Sequence, residues 1–128
     1  MSTAVRELFP ILSSGDLTRL VAFYRTAFAA EIVYRFPEDG EPQYVSLRLG
    51  TQSLGVSPDP TVPSAEAQGR VSLRLYVERC DQAFESAVGA GATAVSPPAD
   101  MPWGERVAEV ADPDGNRLHL GQAPDQPE

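Results

Sequence analysis

Residues 101–120 read MPWGERVAEVADPDGNRLHL, and this stretch contains the only Trp and the only His of the chain, Trp103 and His119. The segment from Asp112 to Gly115 has Pro at its second position and Gly at its fourth. Such a segment suits a type I turn followed by a residue at positive φ, which commonly joins two antiparallel strands. The sequence therefore predicts that two strands meet at this turn.

The residues on either side of the turn fit strands. Val107 to Ala111 leads into it, and polar and apolar residues alternate where the chain leaves it. Because successive side chains of a strand point to opposite faces, Leu118 and Leu120 are expected on one face and Arg117 and His119 on the other.

A helix is predicted near the start of the chain. Ser13 to Asp16 supplies capping residues, and the apolar residues that follow recur at helical spacing. These residues are Leu17, Leu20, Val21, Tyr24, Ala27 and Phe28. We expect the helix to end near Ala29 or Ala30, with its apolar stripe facing a core.

The same order of elements occurs twice. The first half predicts strands over 7–12, 31–36, 44–49 and 52–57 around that helix. After a Pro-, Ser- and Ala-rich linker over 58–69, the second half predicts a strand over 71–77, a helix from Cys80 to Val88, a strand over 93–96 and the hairpin. The period is near 60 residues, which indicates an internal duplication. We predict one domain over 1–128, with repeats over about 5–57 and 70–122.

Composition excludes several classes of partner. The formal net charge is −8, and all ten positive charges are Arg. An acidic surface is unsuited to nucleic acid and to anionic membranes, and no apolar run approaches the ~20 residues that span a bilayer. The single Cys80 cannot form an intramolecular disulfide and is expected to be a buried small apolar residue. These features predict a cytoplasmic protein.

The chain resembles the vicinal oxygen chelate superfamily, which includes glyoxalase I, extradiol dioxygenases and bleomycin-resistance proteins. The resemblance rests on the duplication, on the pattern Asp16-Leu17-x-x-Leu20-x-x-Phe23-Tyr24 and on the Asp112-Pro113-Asp114-Gly115-Asn116 turn. It implies an α+β fold in which two βαβββ units form a cup-shaped mixed sheet.

The resemblance also implies where a metal would be bound in the enzymes of the superfamily. The four ligand positions fall on Phe9, near Leu54, near Ser72 and on His119. Phe and Leu have no lone pair for a metal, and Ser is a weak ligand for divalent ions. We therefore expect no metal, no cofactor and no catalytic residue.

The segment from Pro102 through the final turn is similar to the C-terminal signature of bleomycin-resistance proteins. That similarity implies a non-enzymatic protein of antibiotic-sequestering type, with its ligand in a cleft between the chains of a homodimer. It also implies exchange of the N-terminal strand between subunits, with Pro10 at the crossing. A Pro that interrupts a strand is physically suited to such a departure.

Candidate ligand-binding residues are aromatic side chains that could stack on a planar ligand and polar side chains expected on the inner face of the cup. They are Trp103, Tyr34, Phe36, Tyr44, Arg48, Arg74, Tyr76 and His119. For the aromatic residues, ordinary strand packing is the alternative interpretation. An acidic loop at 38–41 suits a cationic ligand, whereas the two Arg residues suit a carboxylate or phosphate, so the charge of the ligand stays open. Alternatively, the two Arg residues pair with Glu105 and Glu109.

Two other functions stay open. A glyoxalase-like or dioxygenase-like enzyme without a metal would need paired acid and base groups, such as His119 with Glu105. An accessory interaction domain without a ligand is the third alternative.

Overall fold

The computed structural model describes residues 3–4, 6–61 and 71–124 and confirms the predicted α+β fold. Strand, helix and three strands occur in that order twice. The elements of the first unit are β1 (Ile11–Ser14), α1 (Leu17–Phe28), β2 (Glu31–Phe36), β3 (Tyr44–Leu49) and β4 (Gln52–Pro58). Those of the second unit are β5 (Leu73–Tyr76), α2 (Cys80–Gly89), β6 (Thr93–Asp100), β7 (Arg106–Ala111) and β8 (Arg117–Gln122). Most of the predicted linker, from 62 onward, lies outside the described residues.

Each unit forms its own mixed, four-stranded sheet. The first sheet has the order β1-β4-β3-β2 and the second has the order β5-β8-β7-β6. In both sheets the first strand of the unit runs parallel to the last one, and the other neighbours are antiparallel. The two units therefore have the same topology.

Strands β1 and β6 differ most from the predicted bounds, and Pro is involved in both. Strand β5 is also shorter than the predicted 71–77 and spans Leu73–Tyr76. Strand β1 begins at Ile11 rather than near residue 7, although the carbonyl of Pro10 still accepts a hydrogen bond from the Gly55 N–H at 2.9 Å. Strand β6 was expected to end at Ser96 but continues through two Pro residues to Asp100. It lies at the edge of its sheet and its pairing with β7 is irregular there, which is where Pro is tolerated in a strand.

Helix α1 confirms the predicted start and stripe. The side chain of Asp16 accepts a hydrogen bond from the Arg19 N–H at 3.1 Å, and Leu20 and Tyr24 are fully buried. The predicted end was Ala29 or Ala30, but the helix ends at Phe28, because Ala29 takes the left-handed conformation with φ of 57°.

The two units are joined through their helices and through the turn between β7 and β8. Helix α1 contacts α2, and the Ser86 hydroxyl donates to the carbonyl of Ala27 at 3.3 Å. The Tyr24 hydroxyl donates to Asp112 at 2.8 Å, and Arg19 forms an ion pair with Asp114 at 2.9 Å. Within the described residues the two sheets form no ladder with each other, and their helix-covered sides share one core. Residues on their other sides, such as Tyr34 and Tyr76, are exposed.

Cys80 begins helix α2 and is fully buried, as predicted. Its thiol lies 3.4 Å from the carbonyl of Leu120, and its N–H donates to the side chain of Gln122 at 2.8 Å. Burial raises the pKa of the Cys80 thiol above its ordinary value. In the described part of the chain, neither helix is long and apolar enough to cross a membrane.

The buried hydroxyl of Tyr24 predicts a loss of stability at alkaline pH. Burial, followed by the nearby charge of Asp112, raises the pKa of Tyr24 well above 10.0. Above pH 10 the unfolded chain releases this proton and the folded protein keeps it, so stability present below pH 10 is lost as pH rises. From pH 9 to pH 11 we expect wild type to lose about 1.4 kcal/mol more unfolding free energy than Tyr24→Phe. Urea unfolding at both pH values measures this difference, and equal losses in the two proteins would contradict it.

Candidate functional site

The open sides of the two sheets hold all of the predicted ligand-binding residues. We call the side of the first sheet that faces away from α1 the first face, and the side of the second sheet that faces away from α2 the second face. Core residues such as Leu47 and Leu118 point to the helix side of their sheets and are fully buried. Their neighbours along each strand point to the open faces, because side chains alternate.

The first face is aromatic. In the pairing of β2 with β3, Tyr34 lies opposite Ser46 and Phe36 lies opposite Tyr44. The rings of Tyr34 and Tyr44 are 6.3 Å apart between centroids, and more than half of the Tyr34 and Phe36 surfaces is exposed. Exposed aromatic side chains this close together form a surface on which a planar molecule can stack.

Gly55 gives this aromatic surface its shape. A Cβ atom at Gly55 would overlap the hydroxyl of Tyr44, whose ring lies across the bare backbone of β4. Any larger residue at this position would displace the ring. The first face therefore depends on a residue without a side chain at its centre.

The acidic loop after β2 is held in place by Arg35. Its guanidinium donates to the carbonyls of Pro37, Glu38 and Gly40 at 2.6, 2.9 and 2.5 Å. The side chains of Glu38 and Asp39 stay exposed beside a shallow depression that runs along residues 32–39. At the opposite end of β2, Arg48 forms an ion pair with Glu31 at 2.7 Å, so its charge is already balanced.

The second face combines aromatic and charged groups. The indole N–H of Trp103 donates to Glu105 at 2.8 Å, and a guanidinium nitrogen of Arg74 lies 3.7 Å from the same carboxylate. The guanidinium also lies 5.9 Å from the centre of the Tyr76 ring. The indole N–H of Trp103, and after it the Tyr76 hydroxyl, lowers the pKa of Glu105. The nearby carboxylate of Glu105 raises the pKa of Tyr76.

Gly121 occupies the position in the second sheet that Gly55 occupies in the first. Gly55 pairs with the parallel strand β1, and Gly121 pairs with Tyr76 of the parallel strand β5. A Cβ atom at Gly121 would lie 3.2 Å from both Arg74 and Tyr76. On both faces, therefore, a Gly lets large side chains lie flat across the sheet.

His119 lies on the second face, opposite Arg74 on one neighbouring strand and Glu109 on the other. Glu109 is bound to Arg117 at 2.6 Å, and Arg74 contributes a positive charge. A cation beside an imidazole disfavours a bound metal ion.

The other positions that the resemblance implied for a metal do not complete a set. Leu54 is buried among core residues on the helix side, and its neighbour Ser53 is the residue that alternation places on the first face. Among the described residues, no three His, Cys, Asp or Glu side chains are grouped to hold a metal ion. The residues present therefore do not fit the metal that the superfamily's enzymes use.

The structure divides the predicted residues equally between the two faces. Tyr34, Phe36, Tyr44 and Arg48 belong to the first face, and Trp103, Arg74, Tyr76 and His119 belong to the second. Among the described residues the strands of one sheet make no ladder with those of the other. The eight candidate residues therefore lie on two sheets that pack against each other through their helix-covered sides.

Asp112 and Asp114 have structural roles that the sequence analysis missed. Both carboxylates are almost fully buried, and they bind Tyr24 and Arg19 of helix α1. Burial raises the pKa of Asp112 despite the hydrogen bonds that its charge accepts. The sequence around Asp112 and Asp114 predicts only a turn. Their partners Arg19 and Tyr24 lie about 90 residues away in the sequence and could not be inferred from it.

Comparison with known proteins agrees with this fold. A model of the Glyoxalase/Bleomycin resistance protein/Dioxygenase superfamily matches residues 8–120. An uncharacterized protein of Mycobacterium bovis is 32% identical over 124 residues, which covers 90% of this chain and 82% of that protein.

Two solved structures illustrate the similarity in fold. TioX from Micromonospora sp. ML1 has a TM-score of 0.74 at 22% identity, over 96% of this chain and all of that one. The fosfomycin resistance protein FosX from Listeria monocytogenes has a TM-score of 0.73 at 15% identity, over 96% of this chain and 95% of that one. Together with the match over 8–120, these similarities show that the chain belongs to the Glyoxalase/Bleomycin resistance protein/Dioxygenase superfamily.

Proposed function

We propose that this chain is a non-enzymatic binding protein that sequesters an antibiotic-like small molecule in a cleft between two copies of itself. The observation that carries this proposal is the division of the candidate residues between two open faces. Each face exposes aromatic side chains. Among the described residues α1 packs against α2 and the helix-covered sides of both sheets share one core, so the two faces point away from each other. A cleft that uses both faces needs a second subunit.

A two-fold dimer meets this need. In such a dimer the first face of one subunit lies against the second face of its partner, and the same contact occurs twice. Exposed residues such as Phe36 and Tyr76 would then lose contact with water, which favours association. Exchange of the N-terminal strand at Pro10 is not needed for this arrangement, because β1 pairs with β4 of its own chain. That exchange stays a prediction.

The chemistry of the faces favours a planar ligand with polar substituents. The first face offers the Tyr34 and Tyr44 rings beside an acidic loop, and the second offers Trp103 beside Arg74 and His119. Stacking surfaces with a few polar groups are typical of small-molecule sites. This combination is why we favour an antibiotic of the bleomycin type as the first ligand to test, and a cytoplasmic location for its capture.

Metal-dependent catalysis, as in the enzymes of the superfamily, has less support than ligand binding. Of the residues at the four implied positions, only His119 has a side chain that commonly binds divalent metals. Arg74 is its neighbour in the sheet. The other acid or base that we considered, Glu105, is already bound to Trp103. We therefore propose binding without chemical change of the ligand.

Fluorescence of Trp103 tests the proposed function directly, because it is the only Trp of the chain. We expect saturable quenching by bleomycin with a Kd at or below about 10 μM, which corresponds to roughly 7 kcal/mol of binding free energy. Other cationic compounds and anionic aromatic compounds serve as parallel titrations, and recovered ligand is checked for chemical change by mass spectrometry. Absence of quenching by every class would remove the support for a binding function.

A further inference from the structure

Glu105 occupies the centre of the second face without being one of the predicted ligand-binding residues. Its carboxylate accepts the indole N–H of Trp103 at 2.8 Å and lies 3.7 Å from the guanidinium of Arg74. The ring of Tyr76 in turn lies beside that guanidinium, 5.9 Å from ring centre to Cζ. Two of the four candidate side chains of this face, Trp103 and Arg74, therefore contact one carboxylate, and Tyr76 lies against one of them.

The backbone that carries Glu105 is well fixed. Its carbonyl accepts a hydrogen bond from the Met101 N–H at 2.7 Å, and the Gly104 N–H donates to the carbonyl of Met101 at 2.9 Å. Gly104 closes this turn at φ of 101°, a backbone conformation that residues other than Gly rarely adopt. The carboxylate is thus anchored through the turn rather than through the side chains that it contacts.

Packing alone does not fix those side chains. Trp103 is 61% exposed and Tyr76 is 62% exposed, so each has freedom to change rotamer in water. Bare backbone at Gly121 gives Arg74 and Tyr76 room to lie flat but provides no side chain against which they could pack. Arg74 lies near the carboxylate of Glu105, and Tyr76 lies beside Arg74.

Other cations near this face have their own partners at shorter distances. Arg117 is bound to Glu109 at 2.6 Å, whereas Arg74 lies beyond hydrogen-bonding distance from Glu105. Arg74 is therefore oriented by an opposite charge and keeps N–H groups for a ligand. Glu105 therefore orients Arg74 and leaves the N–H donors of Arg74 available to a ligand.

We propose that Glu105 is a positioning residue that holds Trp103 and Arg74, and through Arg74 the ring of Tyr76, in their binding arrangement before any ligand arrives. This role rests on the proposed function in one respect, which is that the second face binds a ligand. An ordered face loses less conformational entropy when it binds, so its affinity is higher than that of the same side chains in free motion.

The first measurement uses the protein without ligand. Time-resolved fluorescence anisotropy reports the local motion of Trp103, and we compare wild type with Glu105→Ala, Glu105→Gln and Glu109→Ala. The last variant is a matched control, because Glu109 lies on the same sheet and its bond is to Arg117. In Glu105→Ala the amplitude of nanosecond Trp motion is expected to rise about twofold, and in the control to stay at the wild-type value.

Glu105→Gln provides the conservative rescue. Its amide oxygen can still accept the indole N–H, so Trp103 is expected to stay ordered. An unchanged amplitude in Glu105→Ala, or the same rise in Glu109→Ala, would overturn the proposal. Wild-type protein alone gives a further readout that does not depend on folding of a variant. Its indole N–H should exchange with water about tenfold more slowly than that of free tryptophan, and exchange at the free rate would also overturn the proposal.

Bleomycin titration of the same variants separates the two proposals. We expect affinity to fall about tenfold in Glu105→Ala and to stay within about threefold of wild type in Glu109→Ala. Glu105→Gln is expected to fall between them, because it keeps the acceptor for Trp103 and loses the charge that orients Arg74. Wild-type affinity in Glu105→Ala, with bleomycin bound, would show that Glu105 does not prepare the face. Failure of wild type to bind any compound would contradict the proposed function, whereas the anisotropy would still decide whether Glu105 orders Trp103.

Discussion

Replacement of Asp112 by Ala is expected to lower the free energy of unfolding by about 3 kcal/mol and the Tm by roughly 10 °C. The carboxylate is 2% exposed and accepts the Tyr24 hydroxyl at 2.8 Å. It also accepts the backbone N–H groups of Asp114 and Asn116, both at 2.9 Å. Ala would leave the buried hydroxyl without its acceptor and would remove the side-chain bonds that shape the turn. Urea unfolding followed by far-UV circular dichroism measures the loss.

Two further variants show where that loss comes from. Glu109→Ala removes a carboxylate whose partner, Arg117, is half exposed, so less than about 1 kcal/mol is expected. Tyr24→Phe in the Asp112→Ala background removes the hydroxyl that had lost its acceptor. We therefore expect the double variant to recover about 1 kcal/mol relative to Asp112→Ala. If Asp112→Ala were no less stable than Glu109→Ala, the buried bond between the units would contribute nothing.

Mixed dimers are expected to recover the binding that each parent variant has lost. Trp103→Ala damages the second face, and Tyr34→Ala with Tyr44→Ala damages the first. In either homodimer both clefts are defective, and we expect bleomycin affinity to fall about tenfold or more, since each aromatic contact contributes about 1 kcal/mol beyond its buried area.

A heterodimer of the two variants has one cleft with every defect and one cleft with none. Co-expression with two different affinity tags isolates this species, and calorimetry is expected to find one site of wild-type affinity per dimer. A site built within one chain would give no such recovery, because each chain would keep its own defect. Absence of the wild-type site in an intact heterodimer would therefore contradict the shared cleft, and a monomer at micromolar concentration would contradict the dimer.

Local patterns were sufficient for most elements of the fold. The stripe of α1, the alternation around His119 and the turn at Asp112 all depend on residues that are close in sequence, and the structure confirms them. Phe23 is buried although it lies outside the predicted stripe, and its ring packs edge-on against those of Tyr24 and Phe28. The irregular edge that accommodates Pro97 in β6 depends on tertiary pairing.

The arrangement of the candidate site could not be predicted in the same way. Alternation places Tyr44 and His119 on open faces, but it does not say whether the two faces of a duplicated chain meet. That depends on how the units pack, which is determined by contacts between α1 and both α2 and the distant turn. Glu105 was considered as an acid or base beside His119 and as an ion-pair partner for an Arg residue. The positioning role that we propose for it requires the positions of Trp103 and Arg74 in space.

Cys80 gives the protein a second natural reporter. It is the only thiol of the chain, and it is sealed beneath the second sheet against β8, on the side opposite Trp103. A disulfide reagent in solution can reach it only when α2 separates from that sheet, so the labelling rate measures the opening of this unit. Fluorescence of the single indole follows the ligand side of the same sheet. The wild-type chain can thus report separately on the opening of its core, through Cys80, and on ligand binding at its surface, through Trp103.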